Sequence, residues 1–267
     1  AAKTIKKKSP EAEVEVYSEE LYHYYPRPRL IEFLAGELDL DGLYFYSENW
    51  YEEKGIKVHL DSRVEKIIPL QRKIMLSNGK EISYERLLLA TGSSPSLPPI
   101  KNLEKQGVFT LRTVADALAI KDYAKKAQNA VVIGGGVLGL EAARGLKALG
   151  LNVTVIEFFP RLLPRQLDGD GAGILKRLIE NMGINVFLNS ATSEILGNVE
   201  ARGILLSDHQ RVNGELILIS AGIRSNIDLA KQAGIAVNKG IVVNNYLATN
   251  FSNIYAAGDV AEHQGKI

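Results

Sequence analysis

Apolar residues recur along the chain in short runs of four to six, and the spacing between the runs alternates in character. VEVYS at 14–18 alternates with a period of two, as a half-buried strand does. An aromatic, proline-punctuated stretch, LYHYYPRPRL, then leads into IEFLAGEL, which has the pattern of a helix. Strands are predicted near 57–60, 64–69, 73–77 and 86–91. From QGVFTLRTVADALAIKDYAKKAQ onward, where Thr113 is placed to cap a helix, the pattern becomes βαβ. AVVIG reads as a strand, VLGLEAARGLKALG as a helix and NVTVIE as a strand. A helix near 168–182 and strands near 185–188, 202–206 and 215–220 follow. The last run, Ile254-Tyr255-Ala256-Ala257, ends in Gly258 and a lone carboxylate, Asp259. Alternation of this kind predicts an α/β fold built on parallel sheet. Strand, glycine, acid is how such a fold presents a carboxylate at a strand's carboxyl end, where ligands bind.

Composition narrows the chemistry. The 267 residues are 46% apolar and 24% charged, enough for one large or two ordinary domains. Basic residues (32) nearly balance acidic ones (31), so no global charge attracts nucleic acid or an anionic membrane. No apolar run approaches the roughly 18–20 residues that span a bilayer. AAKTIKKKSPEAEV lacks the apolar centre of a signal peptide, and a cytoplasmic protein is expected. Its lysines 3, 6, 7 and 8 read as the solvated last turns of a helix. Cysteine is absent, which removes disulfides, thiol relays and iron–sulfur ligation from these residues. His23, His59, His209 and His263 are scattered without ligand spacing, so no metal site is predicted. Redox chemistry, if present, falls to a bound organic cofactor.

VVIGGGVLGLEAARGLKALGLNVTVIE carries the strongest signal. Glycines at 134, 136 and 139 form G-x-G-x-x-G between a strand and a helix. Gly134 suits the tight turn, Gly136 the approach of backbone to a pyrophosphate, and Gly139 close helix–strand packing. The helix start, Val137 and Leu138, offers backbone N–H groups to the phosphates. Glu157 closes the next strand, 23 residues after Gly134, where an acid about 20 residues on is expected to take a ribose 2′-hydroxyl. Phe158, Phe159 and Pro160 bring no cation before Arg161, which favours NAD(H) over NADP(H).

LLLATGSSPSLPPI (87–100), the fingerprint, ILISAGIRSN (217–226) and ATNFSNIYAAGDV (248–260) occur in an order that resembles the FAD-dependent pyridine nucleotide-disulfide oxidoreductases. Within that family the chain is similar to the cysteine-free branch of NADH:rubredoxin and ferredoxin reductases and the flavin module of NADH-dependent nitrite reductases. The resemblance implies two Rossmann-like nucleotide-binding domains, with an NAD domain at 107–242 inserted into an FAD domain at 1–106 and 243–267. It implies that Asp259, after Gly258, meets the ribityl chain of FAD, and that Glu19 takes the adenosine ribose of FAD. Arg27 and Pro28 would lie beside the flavin, the Val64 backbone at the adenine, and Thr91 and Gly92 at the crossing between domains. Gly222 would belong to the nucleotide-binding set and Glu141 would stand near the meeting point of nicotinamide and flavin.

Two departures carry weight. The family's FAD domain opens with its own strand and glycine loop, and neither precedes Ala1; its C-terminal interface domain does not follow Ile267. The sequence is therefore read as an interior piece of a longer flavoenzyme, homodimeric through that C-terminal domain. Glu32 stands where relatives often have lysine. The implied activity passes hydride from NADH to FAD and electrons on to rubredoxin, ferredoxin or a fused or partner nitrite-reducing protein. Reduction of O₂ as an NADH oxidase, and a non-catalytic module like the apoptosis-inducing flavoproteins, are the alternatives. A flavin-free NAD dehydrogenase is a third, though no proton-relay motif accompanies the fingerprint.

Overall fold

The apolar runs after residue 100 become neighbours in one parallel sheet. In the computed structural model, which describes residues 1–267, the strand order is Ile184–Phe187, Asn152–Ile156, Asn129–Ile133, Leu216–Ile219, Val108–Phe109. Every pairing is parallel. The strands are mostly apolar because both faces are covered, with Asn129, Asn152, Thr154 and Asn185 as the polar exceptions. Val132, Val153, Val155 and Leu218 enter one buried cluster, and Val131, Ile133, Ile156 and Ile217 enter another. From Asn129–Ile133 the chain steps outward twice on one side, then returns to place Leu216–Ile219 on the other. That reversal makes a crevice at the carboxyl ends of the two adjacent strands.

Helices cover the sheet where the sequence predicts them. Thr113 caps Val114–Ala124: its hydroxyl accepts from the Asp116 N–H at 3.2 Å, and the Asp116 carboxylate accepts from the Thr113 N–H at 2.9 Å. Asp168 caps Gly169–Asn181 through the Gly171 N–H at 2.8 Å. The helix Leu30–Ala35 buries Ile31 and Leu34 in the same cluster as Ile120, Ala142 and Leu146, and it ends at Gly36 in the left-handed conformation. That packing joins 26–43 to 95–222 as one of two units in the chain. The expected insert 107–242 shares residues 107–222 with this unit.

The other unit comprises Ala1–Tyr25, Tyr44–Ser94 and Ile223–Ile267. Val14–Tyr17 pairs in parallel with Ile56–His59, and Leu87–Leu89 pairs in parallel with Ile254–Ala256. Ile67, Ile74, Leu89, Ile241, Ile254 and Val260 are buried together beneath them. The N-terminal helix Ala2–Lys8 buries nothing and ends in Lys6, Lys7 and Lys8, as its charge pattern predicts. Two antiparallel meanders take in the predicted strands near 64–69, 73–77 and 202–206 and add three strands that the sequence reading did not give. Val64–Ile68 and Lys73–Leu76 are joined by Glu81–Ser83, and Gly203–Leu206 is flanked by Thr192–Leu196 and Arg211–Asn213. A short helix, Glu48–Glu53, was also not anticipated; Trp50 on it stacks on Tyr46 at 3.7 Å, with the Lys3 ammonium over both rings.

The fingerprint turn is the tightest point of the fold. Gly134 has φ +120°, and a Cβ there would lie 2.2 Å from the Ser220 carbonyl oxygen. A Cβ on Gly139 would lie 2.0 Å from the Gly134 carbonyl oxygen. Gly134→Ala should therefore destabilise the protein by about 2–4 kcal/mol, combining backbone strain with overpacking. Gly169→Ala, at a helix start with no atom within 4 Å of the new Cβ, is the control. It should leave stability within about 1 kcal/mol of wild type. Urea denaturation of the three proteins checks this, and equal midpoints would contradict it.

Candidate functional site

The fingerprint helix, Val137–Ala148, begins at Gly136 with extended backbone and no side-chain cap. Its first-turn N–H groups, on Val137, Leu138 and Gly139, have no intrahelical acceptor by the geometry of any helix start. Val137 and Leu138 are half exposed, and a Cβ on Gly136 would meet nothing within 4 Å. Open space, unclaimed donors and the positive end of a helix dipole suit a pyrophosphate. The turn fits the nucleotide that the sequence implies.

Glu157 is buried, with 5% of its surface exposed. One carboxylate oxygen accepts from the Gly135 N–H at 2.6 Å and the other from the Phe159 N–H at 2.8 Å. The acid thus lies against the glycine turn at the end of the adjacent strand, where an acid for a ribose is expected. Phe158 and Phe159 are exposed beside it with their rings edge to face at 5.3 Å. Arg161, the first cation after the acid, directs its guanidinium to the carbonyls of Leu167 (3.2 Å) and Pro164 (3.1 Å). It therefore braces its own loop. A cavity of about 240 Å³ lined by Pro160, Arg161, Gly173, Lys176 and Leu188 lies further along this segment and takes in none of the predicted site residues.

The remaining predicted residues of this unit are more dispersed. Glu141 sits one turn into the fingerprint helix, half exposed, and pairs with Arg144 at 3.4 Å; Arg144 also holds Glu37 at 2.5 Å. The Arg144 hydrogen bond holds the Glu37 carboxyl below its ordinary value. Arg27 and Pro28 form the 3₁₀ turn Arg27–Arg29 ahead of Leu30–Ala35, and Arg27 donates to the Arg112 carbonyl at 2.8 Å. Glu32, the departure noted in the sequence, pairs with Arg29 at 3.6 Å. The Gly222 carbonyl accepts from the Ser96 N–H at 2.9 Å, and its φ of +95° favours glycine.

In the other unit Asp259 is the focus. It is exposed just past the strand Ile254–Ala256, after Gly258 at φ +81°. The buried Ser93 hydroxyl donates to its carboxylate at 2.9 Å, and the Ser225 hydroxyl donates to its backbone carbonyl at 2.6 Å. Asn226 ties the neighbouring crossing: its amide donates to the Thr91 carbonyl at 2.8 Å, its N–H to the Gly92 carbonyl at 2.9 Å, and its own carbonyl accepts from the Thr91 hydroxyl at 3.0 Å. Thr91, Gly92 and Asp259 are thereby drawn into one bonded cluster. Val64 opens its strand and packs on the buried core. Glu19 lies two residues past its strand and pairs with Arg63 at 3.3 Å, both well exposed. An exposed carboxylate at a strand end, oriented by a buried hydroxyl, fits a ligand hydroxyl of the kind FAD carries.

Sequence reasoning missed Ser93, Ser225 and Asn226, although all three lie inside the quoted motifs 87–100 and 217–226. It also passed over Gly135, the unspecified position of G-x-G-x-x-G. Three glycines in a row were the available signal there.

Comparison with known proteins gives concordant results. The chain is 38% identical over 255 residues to the assimilatory nitrate reductase electron transfer subunit of Bacillus subtilis (strain 168), a match covering 96% of this chain and 33% of that protein. It is 33% identical to the NADH-rubredoxin oxidoreductase of Clostridium acetobutylicum over 95% of this chain and 63% of that one. The crystal structure of the ferredoxin reductase for the CYP199A2 system of Rhodopseudomonas palustris superposes with a TM-score of 0.93 at 27% identity, covering 98% of this chain and 65% of that one. The chain thus spans between a third and two thirds of the length of these proteins. No helix is long and apolar enough to cross a membrane. The Pyridine nucleotide-disulphide oxidoreductase family matches residues 1–267, and with these relatives and this glycine turn the chain belongs to that family, whose cofactors are FAD and NADH.

Proposed function

We propose that this chain is the nucleotide-binding part of an NADH-dependent FAD oxidoreductase, with an electron acceptor such as rubredoxin, ferredoxin or a fused or partner nitrite-reducing protein. The observation that carries the reading is the uncapped helix start at Gly136, with a buried acid, Glu157, at the end of the next strand. The Gly134–Gly139 turn holds the pyrophosphate of NADH through backbone N–H groups, and Glu157 faces the adenosine ribose. A carboxylate at that position disfavours a 2′-phosphate, and Arg161, engaged with two carbonyls, offers no compensating charge.

In the flavin unit, Asp259 orients the ribityl chain, with Ser93 fixing the carboxylate. Glu19 takes the adenosine ribose, Val64 contributes backbone at the adenine, and Thr91 and Gly92 hold the crossing. Arg27 and Pro28 border the flavin, and Gly222 keeps the backbone near the nucleotide open. Glu141 shapes the field where nicotinamide and flavin meet, buffered by Arg144. When bound, FAD accepts two electrons from NADH and releases them to the acceptor. These residues hold no thiol, so the chain itself offers no disulfide relay between flavin and acceptor. A cytoplasmic setting goes with NADH as the donor.

The test is turnover of the protein at its native length with a soluble artificial one-electron acceptor. NADH consumption is expected, with kcat/KM for NADPH lower by about tenfold or more. Binding of NADH without turnover would leave a sensing module in place of an enzyme. Flavin retention, measured by equilibrium dialysis, examines the second site. Asp259→Ala should weaken FAD by about 10- to 150-fold, the loss of a hydrogen bond to a charged group. Ser93→Ala, which removes one hydrogen bond that orients the carboxylate, should weaken it by about 2- to 10-fold. Unchanged retention in both variants would remove Asp259 from the flavin site.

A further inference from the structure

Gly135 is bound through both its N–H and its carbonyl by the segment that follows the strand Asn152–Ile156. Its N–H donates to the Glu157 carboxylate at 2.6 Å, and its carbonyl accepts from the Leu163 N–H at 3.3 Å. The same carboxylate takes the Phe159 N–H through its other oxygen. A Cβ on Gly135 would fall 2.9 Å from the Glu157 carboxylate oxygen, 3.1 Å from its Cβ and 2.6 Å from Leu162 Cδ2, and Leu162 is fully buried. Neither oxygen of the acid is therefore waiting for a ribose alone. Each already satisfies a backbone donor, and the Gly135 N–H lies where water hardly reaches and an orphaned donor is costly.

We propose that Glu157 is a positioning residue for the phosphate-binding turn, in addition to facing the ribose, and that Gly135 and Glu157 are joint requirements of one clasp. The clasp fixes the Gly134–Gly135 peptide through its N–H, the Leu163 N–H holds the carbonyl of the next peptide, and together they set the direction of the N–H groups at the helix start. Nucleotide discrimination and phosphate-turn geometry then run through a single side chain. Replacing the acid to admit a 2′-phosphate loosens the turn that must hold the pyrophosphate, so inverting the selectivity requires a substitute acceptor for the Gly135 and Phe159 N–H groups. The middle glycine of Gly134-Gly135-Gly136 has its explanation here, since any side chain at that position would displace the acid.

The inference rests on NADH binding at this turn, and the experiment separates the two. Affinities are measured for NADH and for an NADH analogue lacking the adenosine 2′-hydroxyl, with wild-type protein, Glu157→Gln and Gly135→Ala. The glutamine has one acceptor oxygen for two N–H donors; the alanine keeps the acid but pushes it away. Both variants should weaken the 2′-deoxy analogue by about tenfold, and NADH by that factor or more, because NADH also loses its ribose contact. In ¹⁵N-glycine-labelled wild-type protein the Gly135 amide should be protected from hydrogen exchange, and in Glu157→Gln it should lose that protection while other glycine amides of the sheet unit keep theirs. Losses confined to NADH, with the 2′-deoxy analogue unaffected, would overturn the clasp and leave Glu157 a ribose acceptor only. Unprotected Gly135 in the wild type would overturn it without any variant having to fold. Wild-type protein that binds neither nucleotide would instead remove the NADH reading on which the inference stands.

Discussion

A helix packed against a strand without side chains between them is the constraint on which the nucleotide-binding unit depends. The Cβ that Gly139 lacks would sit 2.0 Å from the Gly134 carbonyl oxygen, and the one that Gly134 lacks would sit 2.2 Å from the Ser220 carbonyl oxygen. Three segments, the turn, the first helical turn and the end of the strand Leu216–Ile219, therefore meet backbone to backbone. The cap position is itself a glycine, Gly136, so no side chain caps the helix and its first N–H groups remain available. Packing follows from the atoms that Gly134 and Gly139 lack, and open space for a ligand from the one that Gly136 lacks. Through the Gly135 N–H, Glu157 holds the same peptide whose carbonyl abuts Gly139.

The second unit solves a comparable problem differently. Its carboxylate, Asp259, projects from the end of a strand whose partner, Leu87–Leu89, lies far away in sequence. The parallel pairing brings LLLATGSS and NIYAAGDV side by side, which sets Ser93 against the Asp259 carboxylate, and a separate pairing of Ile223–Ser225 with Ser93–Pro95 brings Asn226 to Thr91. A buried hydroxyl orients an exposed acid, and the backbone crossing beside it is bonded at three points. In both units the acid proposed to face a ligand also belongs to the local hydrogen-bond structure, so its substitution alters more than one contact.

Legibility in the sequence tracked burial and locality. Asn129–Ile133, Asn152–Ile156 and Leu216–Ile219 were readable because residues on both faces are buried and the runs are largely apolar. Thr113 was readable as a cap because its partner, Asp116, is three residues away. Thr192–Leu196, Arg211–Asn213 and Glu81–Ser83 were not, because short strands on a solvated meander carry little apolar contrast. The helix Glu48–Glu53 is too short to display a period and is organised by ring stacking. The same division runs through the site. Gly134, Gly136, Gly139 and Glu157 form a local pattern, whereas the contact between Ser93 and Asp259 spans 166 residues and that between Gly135 and Glu157 spans 22. Motif spacing names residues that recur at fixed offsets, and the residues that hold them in place escape it.

The central claim is that two nucleotides, NADH and FAD, work together on this chain. The most direct measurement is the visible absorption spectrum of the protein purified at its native length, recorded before and after NADH is added without oxygen. Flavin bands at about 370 and 450 nm, with the longer-wavelength band bleached by NADH, are the predicted result. A colourless protein that takes up no FAD, or a bound flavin that NADH leaves oxidised, would contradict the account.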